Sequence, residues 1–369
     1  MIYLDNGATS FHKPPAVYRA VETALRTCAN PGRGGYGAAM EASRQVYRCR
    51  DAAGELFHCP VEQVVLTTSC THGLNIAIRS LVKPGARVAV SGFEHNAVTR
   101  PLHALKAELI PVGRKLFSWE DTLEDLGKAL KKGVDAAVFT HVSNVFGYIL
   151  PVEEMAAMCR ERGVPFILDA AQSAGALPID FEGLGAEFIA MPGHKGLLGP
   201  QGTGLLLCRG LPLPLLYGGT GSASKDQEMP GYLPDRLEAG TLNVPGYAGL
   251  AEGLRCVKRM GENAIFQREH RQLIRCAEGL KKLGMRVFSG EHQAATVSFL
   301  PGLDSEEAAE RLGELGIAVR AGLHCAPLAH ESAGTLETGT VRVSFGHDAS
   351  DAQTNALLRA VSKFPRFEA

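Results

Sequence analysis

No stretch of the sequence approaches about 18 uninterrupted apolar residues, so a membrane-spanning helix is not expected. Charge of one sign is not in excess either: 38 Lys and Arg stand against 39 Asp and Glu, a formal net charge of -1. Nucleic acid and anionic membrane are thereby disfavoured as partners, and small molecules or proteins are expected instead. The nine cysteines, at 28, 49, 59, 70, 159, 208, 256, 276 and 325, form no CxxC pair and no zinc-finger spacing. That pattern excludes a disulfide framework and leaves most thiols as small core residues. The twelve histidines contain no HExxH, and no metal site is expected. Met1-Ile2-Tyr3-Leu4-Asp5 lacks a charged segment followed by an apolar run, so the expected location is the cytoplasm.

At 369 residues the chain is longer than one compact core usually accommodates, and two domains with a cleft between them are expected. Short apolar runs recur between Gln63 and Cys208: Val64–Leu66, Arg87–Val90, Ala136–Phe139, Pro165–Leu168, Glu187–Ala190 and Gly204–Leu207. Separated by amphipathic stretches, such runs predict an α/β domain with a buried, mostly parallel sheet and helices on both faces. A long helical stretch from Gly246 to about Gly284 follows. Strand-like Thr296–Phe299 and Val341–Phe345 then alternate with helical segments, which predicts a smaller α+β domain. The expected division is 15–246 for the large domain, with 1–14 and 247–369 forming the small one.

Ligands of open α/β sheets bind beyond the carboxyl ends of the strands. Lys195 stands there, in Gly193-His194-Lys195-Gly196 directly after Phe188–Met191. A lysine that loses its proton on desolvation can form a Schiff base. Asp169 ends another strand, where a carboxylate needs a partner such as a pyridinium N–H. Leu66–Gly73 passes from strand to helix through hydroxyl residues and offers free N–H groups to a phosphate. His95 follows a third strand and offers a flat ring for stacking. Taken singly, each has a plainer reading: a turn lysine, a capping aspartate, an ordinary N-cap, a structural histidine.

In order along the chain stand Tyr3–Thr9, Asn30–Gly34, Cys70–Asn75, Glu94-His95, His141–Asn144, Asp169–Gln172, Gly193–Lys195, Glu238–Thr241 and Arg320–Ala326. With these motifs the sequence resembles, over nearly its whole length, the class V aminotransferase superfamily, and within it the NifS/SufS-type cysteine desulfurases and selenocysteine lyases. The resemblance implies a PLP-dependent transferase of fold type I, with a seven-stranded sheet in its large domain and pyridoxal 5'-phosphate (PLP) as cofactor. It implies Lys195 as the lysine carrying PLP, Asp169 at the ring nitrogen, Gln172 near the ring oxygen and His95 on the ring face. Cys70, Thr71, His72 and His194 would hold the phosphate, and Thr241 would reach a neighbouring subunit's phosphate in a homodimer. Asn144 and Arg342 would meet the substrate carboxylate, with Arg320 beside them. Cys325 would take the substrate's sulfur as a persulfide, for delivery to an acceptor protein, while L-cysteine becomes L-alanine. His324, Arg320 and Arg342 are the expected positive charges beside that thiol. Pro192, Gly7 and Leu323 depart from the residues commoner in the family, and leave selenocysteine lysis, transamination or a non-catalytic sulfur-transfer role as alternatives.

Overall fold

The computed structural model describes residues 1–32 and 34–368; Arg33, within one of the motifs above, lies outside the described residues. Its centre is a seven-stranded sheet in the order Val64–Thr67, Gly204–Cys208, Phe188–Pro192, Phe166–Asp169, Ala136–Thr140, Arg87–Ser91, Glu108–Val112. Gly204–Cys208 runs antiparallel to both neighbours, and every other pairing is parallel. Alternate residues of these strands enter different cores, as the two-residue period requires. Ala137, Phe139, Leu168 and Ile189 face one helical layer, whereas Val138, Ile167, Phe188 and Ala190 face the other. Burial on both faces explains why the strands read as unbroken apolar runs.

The six runs seen in the sequence are all strands. The seventh strand, Glu108–Val112, was not separately legible: it lies at the sheet edge, begins with an exposed glutamate and contains Pro111. Proline is tolerated there because an edge strand has N–H groups with no ladder partner to lose.

The helical stretch expected from Gly246 to about Gly284 is two helices, Val244–Met260 and Glu262–Lys282. Gly261 between them has φ 81°, a left-handed conformation that ends the first helix. Val244, Tyr247, Leu250 and Leu254 of the first helix pack in the core of the large sheet. Leu273, Cys276 and Leu280 of the second pack with Val297, Phe299, Val341 and Val343 beneath a four-stranded antiparallel sheet, ordered Arg320–Gly322, Thr340–Ser344, Thr296–Leu300, Arg286–Phe288. The chain's start joins this second core: Leu4 is buried in it, and Ile2–Tyr3 pairs in parallel with Ile317–Ala318. Among the described residues no helix is long and apolar enough to cross a membrane.

Candidate active site

A cavity opens where Phe166–Asp169, Phe188–Pro192 and Ala136–Thr140 end, and Cys70, Thr71, His95, Asn144, Asp169, Gln172, His194 and Lys195 all line it. His72, Thr241, Arg320, Arg342 and Cys325 are not in its lining: His72 lies within the helix Cys70–Leu81, and Thr241 is exposed in the loop before Val244–Met260. Lys195 follows a buried strand directly and its loop packs tightly, since a Cβ on Gly196 would collide with the Ala174 carbonyl. Burial lowers the Lys195 pKa, with the Asp169 carboxylate opposing the shift and Arg342 and Arg320 adding to it. An amine less costly to deprotonate is the result.

Asp169 is 2% exposed. Its Oδ1 accepts the Ala171 N–H at 2.9 Å and the Cys70 thiol at 3.4 Å, whereas Oδ2 has no protein partner among the described residues. That oxygen is left for a donor in the cavity. Burial holds Cys70 well above the ordinary thiol range, so it donates as a neutral S–H. Ser69 caps the helix Cys70–Leu81 by accepting the His72 N–H. The Cys70 and Thr71 N–H groups, in the first turn, have no intrahelical acceptor and suit an anion.

His95 begins the helix Asn96–Ala104, and its Nδ1 accepts the Ala97 N–H at 3.0 Å. A proton, where the neutral ring carries one, is therefore on Nε2. Burial lowers the His95 pKa and keeps the ring neutral. His194 is likewise pushed down to about 4, by burial and then by Lys195 and Lys13. Gln172 donates through Nε2 to the Gly7 carbonyl at 3.0 Å, which ties the cavity wall to the N-terminal segment.

Arg342, 1% exposed, donates to Asp5 Oδ1 at 2.6 Å and to the Asn144 carbonyl at 3.0 Å, and its Nε is buried without a partner. Asp5 was not assigned a role from the sequence; the ion pair spans 337 positions, and no local pattern signals it. Asn144 donates to the His324 carbonyl at 2.8 Å while its Oδ1 is buried and unpartnered. Arg320 is exposed and lies opposite Arg342 in the antiparallel register.

Cys325 is the exposed cysteine of the nine. Its carbonyl accepts the Asn96 N–H at 2.7 Å, fixing the loop beside His95. His324, expected to supply positive charge beside this thiol, does not. It is buried against Thr340, whose carbonyl lies 3.2 Å from Nε2, and burial, then Arg342, push its pKa down to about 2. The ring is neutral, and Arg320 and Arg342 are the cations that remain.

Residues 2–357 match the family model described as Aminotransferase class-V. The chain belongs to the class-V aminotransferase family. Among its relatives is a probable cysteine desulfurase of Pyrococcus abyssi, 33% identical over 94% of this chain and 89% of the relative. A cysteine desulfurase of Thermococcus onnurineus, solved in its apo form, superposes with a TM-score of 0.89 at 31% identity, over 98% of this chain and 94% of that one. The Escherichia coli cysteine desulfurase CsdA, solved as an S-sulfonic acid, gives 0.83 at 25% identity over 98% and 94%. The class-V fold thus accounts for the seven-stranded sheet, for the separate antiparallel sheet and for the place of the cavity at the strand ends of the larger one.

Proposed function

We propose that this class-V family member is a PLP-dependent cysteine desulfurase that converts L-cysteine to L-alanine and receives the sulfur on Cys325. The observation that carries the reading is an exposed thiol whose backbone is tied to the residue after His95, and His95 shares a cavity with a desolvated lysine. The cavity suits PLP on three counts. Asp169 Oδ2 is free to accept a pyridinium N–H, the helix start at Cys70 and Thr71 offers N–H groups to a phosphate, and the neutral His95 ring can cover a planar ligand.

PLP bound to Lys195 would supply an electron sink for charge developing at the substrate's Cα. The Lys195 amine would take the Cα proton and return a proton to the product. Arg342 and Arg320 attract the substrate carboxylate, and Asn144 Oδ1, buried without a partner, is an acceptor for the substrate's amino group. Cys325 reacts as the thiolate. A sulfur–sulfur bond forms on Cys325 as the substrate's carbon–sulfur bond breaks, the bonding pair stays on carbon, and protonation there completes alanine. The balance is cysteine plus enzyme thiol giving alanine plus enzyme persulfide. A thiol acceptor, expected to be a protein, then takes the terminal sulfur.

A homodimer is part of this reading. Tyr36, Met40, Tyr47, Tyr217 and Tyr232 are large apolar side chains 44 to 73% exposed, of the kind a second copy would cover, and Thr241 is exposed and so available to a neighbour. The test is incubation of the purified protein and PLP with L-cysteine, and separately with selenocysteine, in the presence of a reductant and 2-oxoglutarate, measuring alanine and sulfide or selenide together. Equal yields of the two support the desulfurase. A keto acid with a new amino acid means transamination, turnover of selenocysteine alone means a lyase for it, and no turnover of either amino acid rejects catalysis.

A further inference from the structure

The carbonyl oxygen of His194, one bond before Lys195, is crowded with donors. It lies 3.0 Å from the Ser10 N–H, from the Ser10 and Thr9 hydroxyl oxygens and from Lys13 Nζ. Lys13 Nζ is also 2.5 Å from Ser10 Oγ. A carbonyl oxygen has two lone pairs, so these donors cannot all be satisfied there. The Ser10 N–H is fixed by the backbone, and an ammonium has no role but donor, with the stronger, charge-assisted bond. Ser10 Oγ accepts from Lys13, and its own hydrogen competes with the Thr9 hydroxyl for the same two occupied lone pairs. Nothing is left for the Thr9 hydroxyl hydrogen.

That hydrogen has another acceptor. Thr9 Oγ1 lies 3.1 Å from His194 Nδ1, and the ring is neutral. With Thr9 donating, Nδ1 is an acceptor and the imidazole proton resides on Nε2. Nε2 makes no hydrogen bond to the protein among the described residues, and His194 lines the cavity. Lys13 itself has no carboxylate within ion-pair distance among the described residues, and burial lowers its pKa to about 8. A partly buried cation without a counter-ion is costly, and the fold retains it against this one peptide.

We propose that Lys13 is a positioning residue: with Ser10 it saturates the His194 carbonyl, turns the Thr9 hydroxyl onto Nδ1, and so sets His194 as an Nε2–H donor aimed at the anionic group of the ligand in the cavity. The inference rests on the reading of that cavity as a phosphate-ester site. Without the ammonium, one lone pair on the carbonyl is released, the Thr9 hydroxyl can rotate to it, and the imidazole proton can move to Nδ1. Nε2 would then present a lone pair to a phosphate oxygen and repel it.

The full-length protein, freed of cofactor, is titrated with PLP and with pyridoxal, which lacks the phosphate, and the ratio of the two affinities is taken. Wild type should prefer PLP. Lys13→Met should lower that preference by about tenfold, the effect of one charge-assisted bond, while Lys13→Arg restores it. Ser10→Ala, which removes the oxygen that anchors the Lys13 ammonium, should show a smaller loss in the same direction. In protein carrying 15N only in histidine, the His194 Nε2 signal should be that of a protonated nitrogen in wild type and Lys13→Arg and lose that character in Lys13→Met. An unchanged ratio in Lys13→Met, or an unchanged tautomer, overturns the proposal even though PLP binds. If wild type itself shows no preference for PLP over pyridoxal, the phosphate reading of the cavity falls, and the role of Lys13 with it.

Discussion

His324 and Cys325 are both left-handed, with φ 49° and 58°, although neither is glycine. Such backbone is held only where its surroundings over-determine it. Here the buried His324 ring against Thr340 and the Asn96 N–H on the Cys325 carbonyl do so, leaving the thiol outward. A thiol needed only for packing would not be held in that way. Cys325→Ala should therefore keep PLP binding and lower sulfide release by roughly a hundredfold or more. Mass spectrometry of wild type after brief exposure to cysteine should find one added sulfur on the peptide that holds Cys325; full sulfide release by the alanine variant would remove this thiol from the mechanism. Arg342→Lys should raise KM for cysteine about tenfold, since an ammonium cannot hold Asp5, the Asn144 carbonyl and a carboxylate in one planar fork. Unchanged steady-state kinetics would reassign the carboxylate to Arg320. Lys195, Asp169, His95 and the turn at Cys70 were legible in the sequence because they stand at or shortly after strand ends, whereas Gln172, Asn144 and His194 came only through the family motifs. Asp5, Lys13 and the neutrality of His324 were not legible, since each depends on groups far away in the chain.

At the scale of elements, the strands of the large sheet were readable because two buried faces leave no polar alternation to confuse the pattern. The edge strand Glu108–Val112 and the short Arg286–Phe288 lack that burial, and so lack the signal. The loop that presents Lys195 is fixed by a contact no local pattern could show. Gly175 has φ 89°, and a Cβ there would collide with the Gly196 carbonyl. Gly175→Ala combines backbone strain with displacement of that loop, and should cost roughly 1–3 kcal/mol of stability. PLP affinity should fall along with the thermal midpoint. Loss of stability with PLP affinity intact would show that the Lys195 loop does not depend on this close approach.

Across the whole molecule, the two cores meet at a second cavity that shares Lys195 and Gln172 with the first and is closed on the other side by Glu269 and His347. Glu269 projects from the helix Glu262–Lys282, is 7% exposed, and has no hydrogen-bonded side-chain partner among the described residues. Burial, and then the nearby Asp348, raise its pKa to about 8, with Arg268 opposing. His347, itself held neutral by burial, and Lys195, whose pKa burial also lowers, offer it little compensation. In the unfolded chain the same carboxyl titrates near its ordinary value, about 4.5. The folded state therefore binds this proton more tightly than the unfolded state does. Its contribution to stability is fully present below about pH 4.5 and is lost progressively as pH rises to about 8, where both states are ionised. Glu269→Gln is nearly isosteric and cannot ionise, so it should remove that loss. Measured by chemical denaturation, the variant's stability relative to wild type should grow from pH 4.5 to pH 8 by a few kcal/mol at most, then level off. A difference that does not change with pH would mean that Glu269 is solvated or paired in solution, and that the seam between the two cores is wetter than its packing indicates.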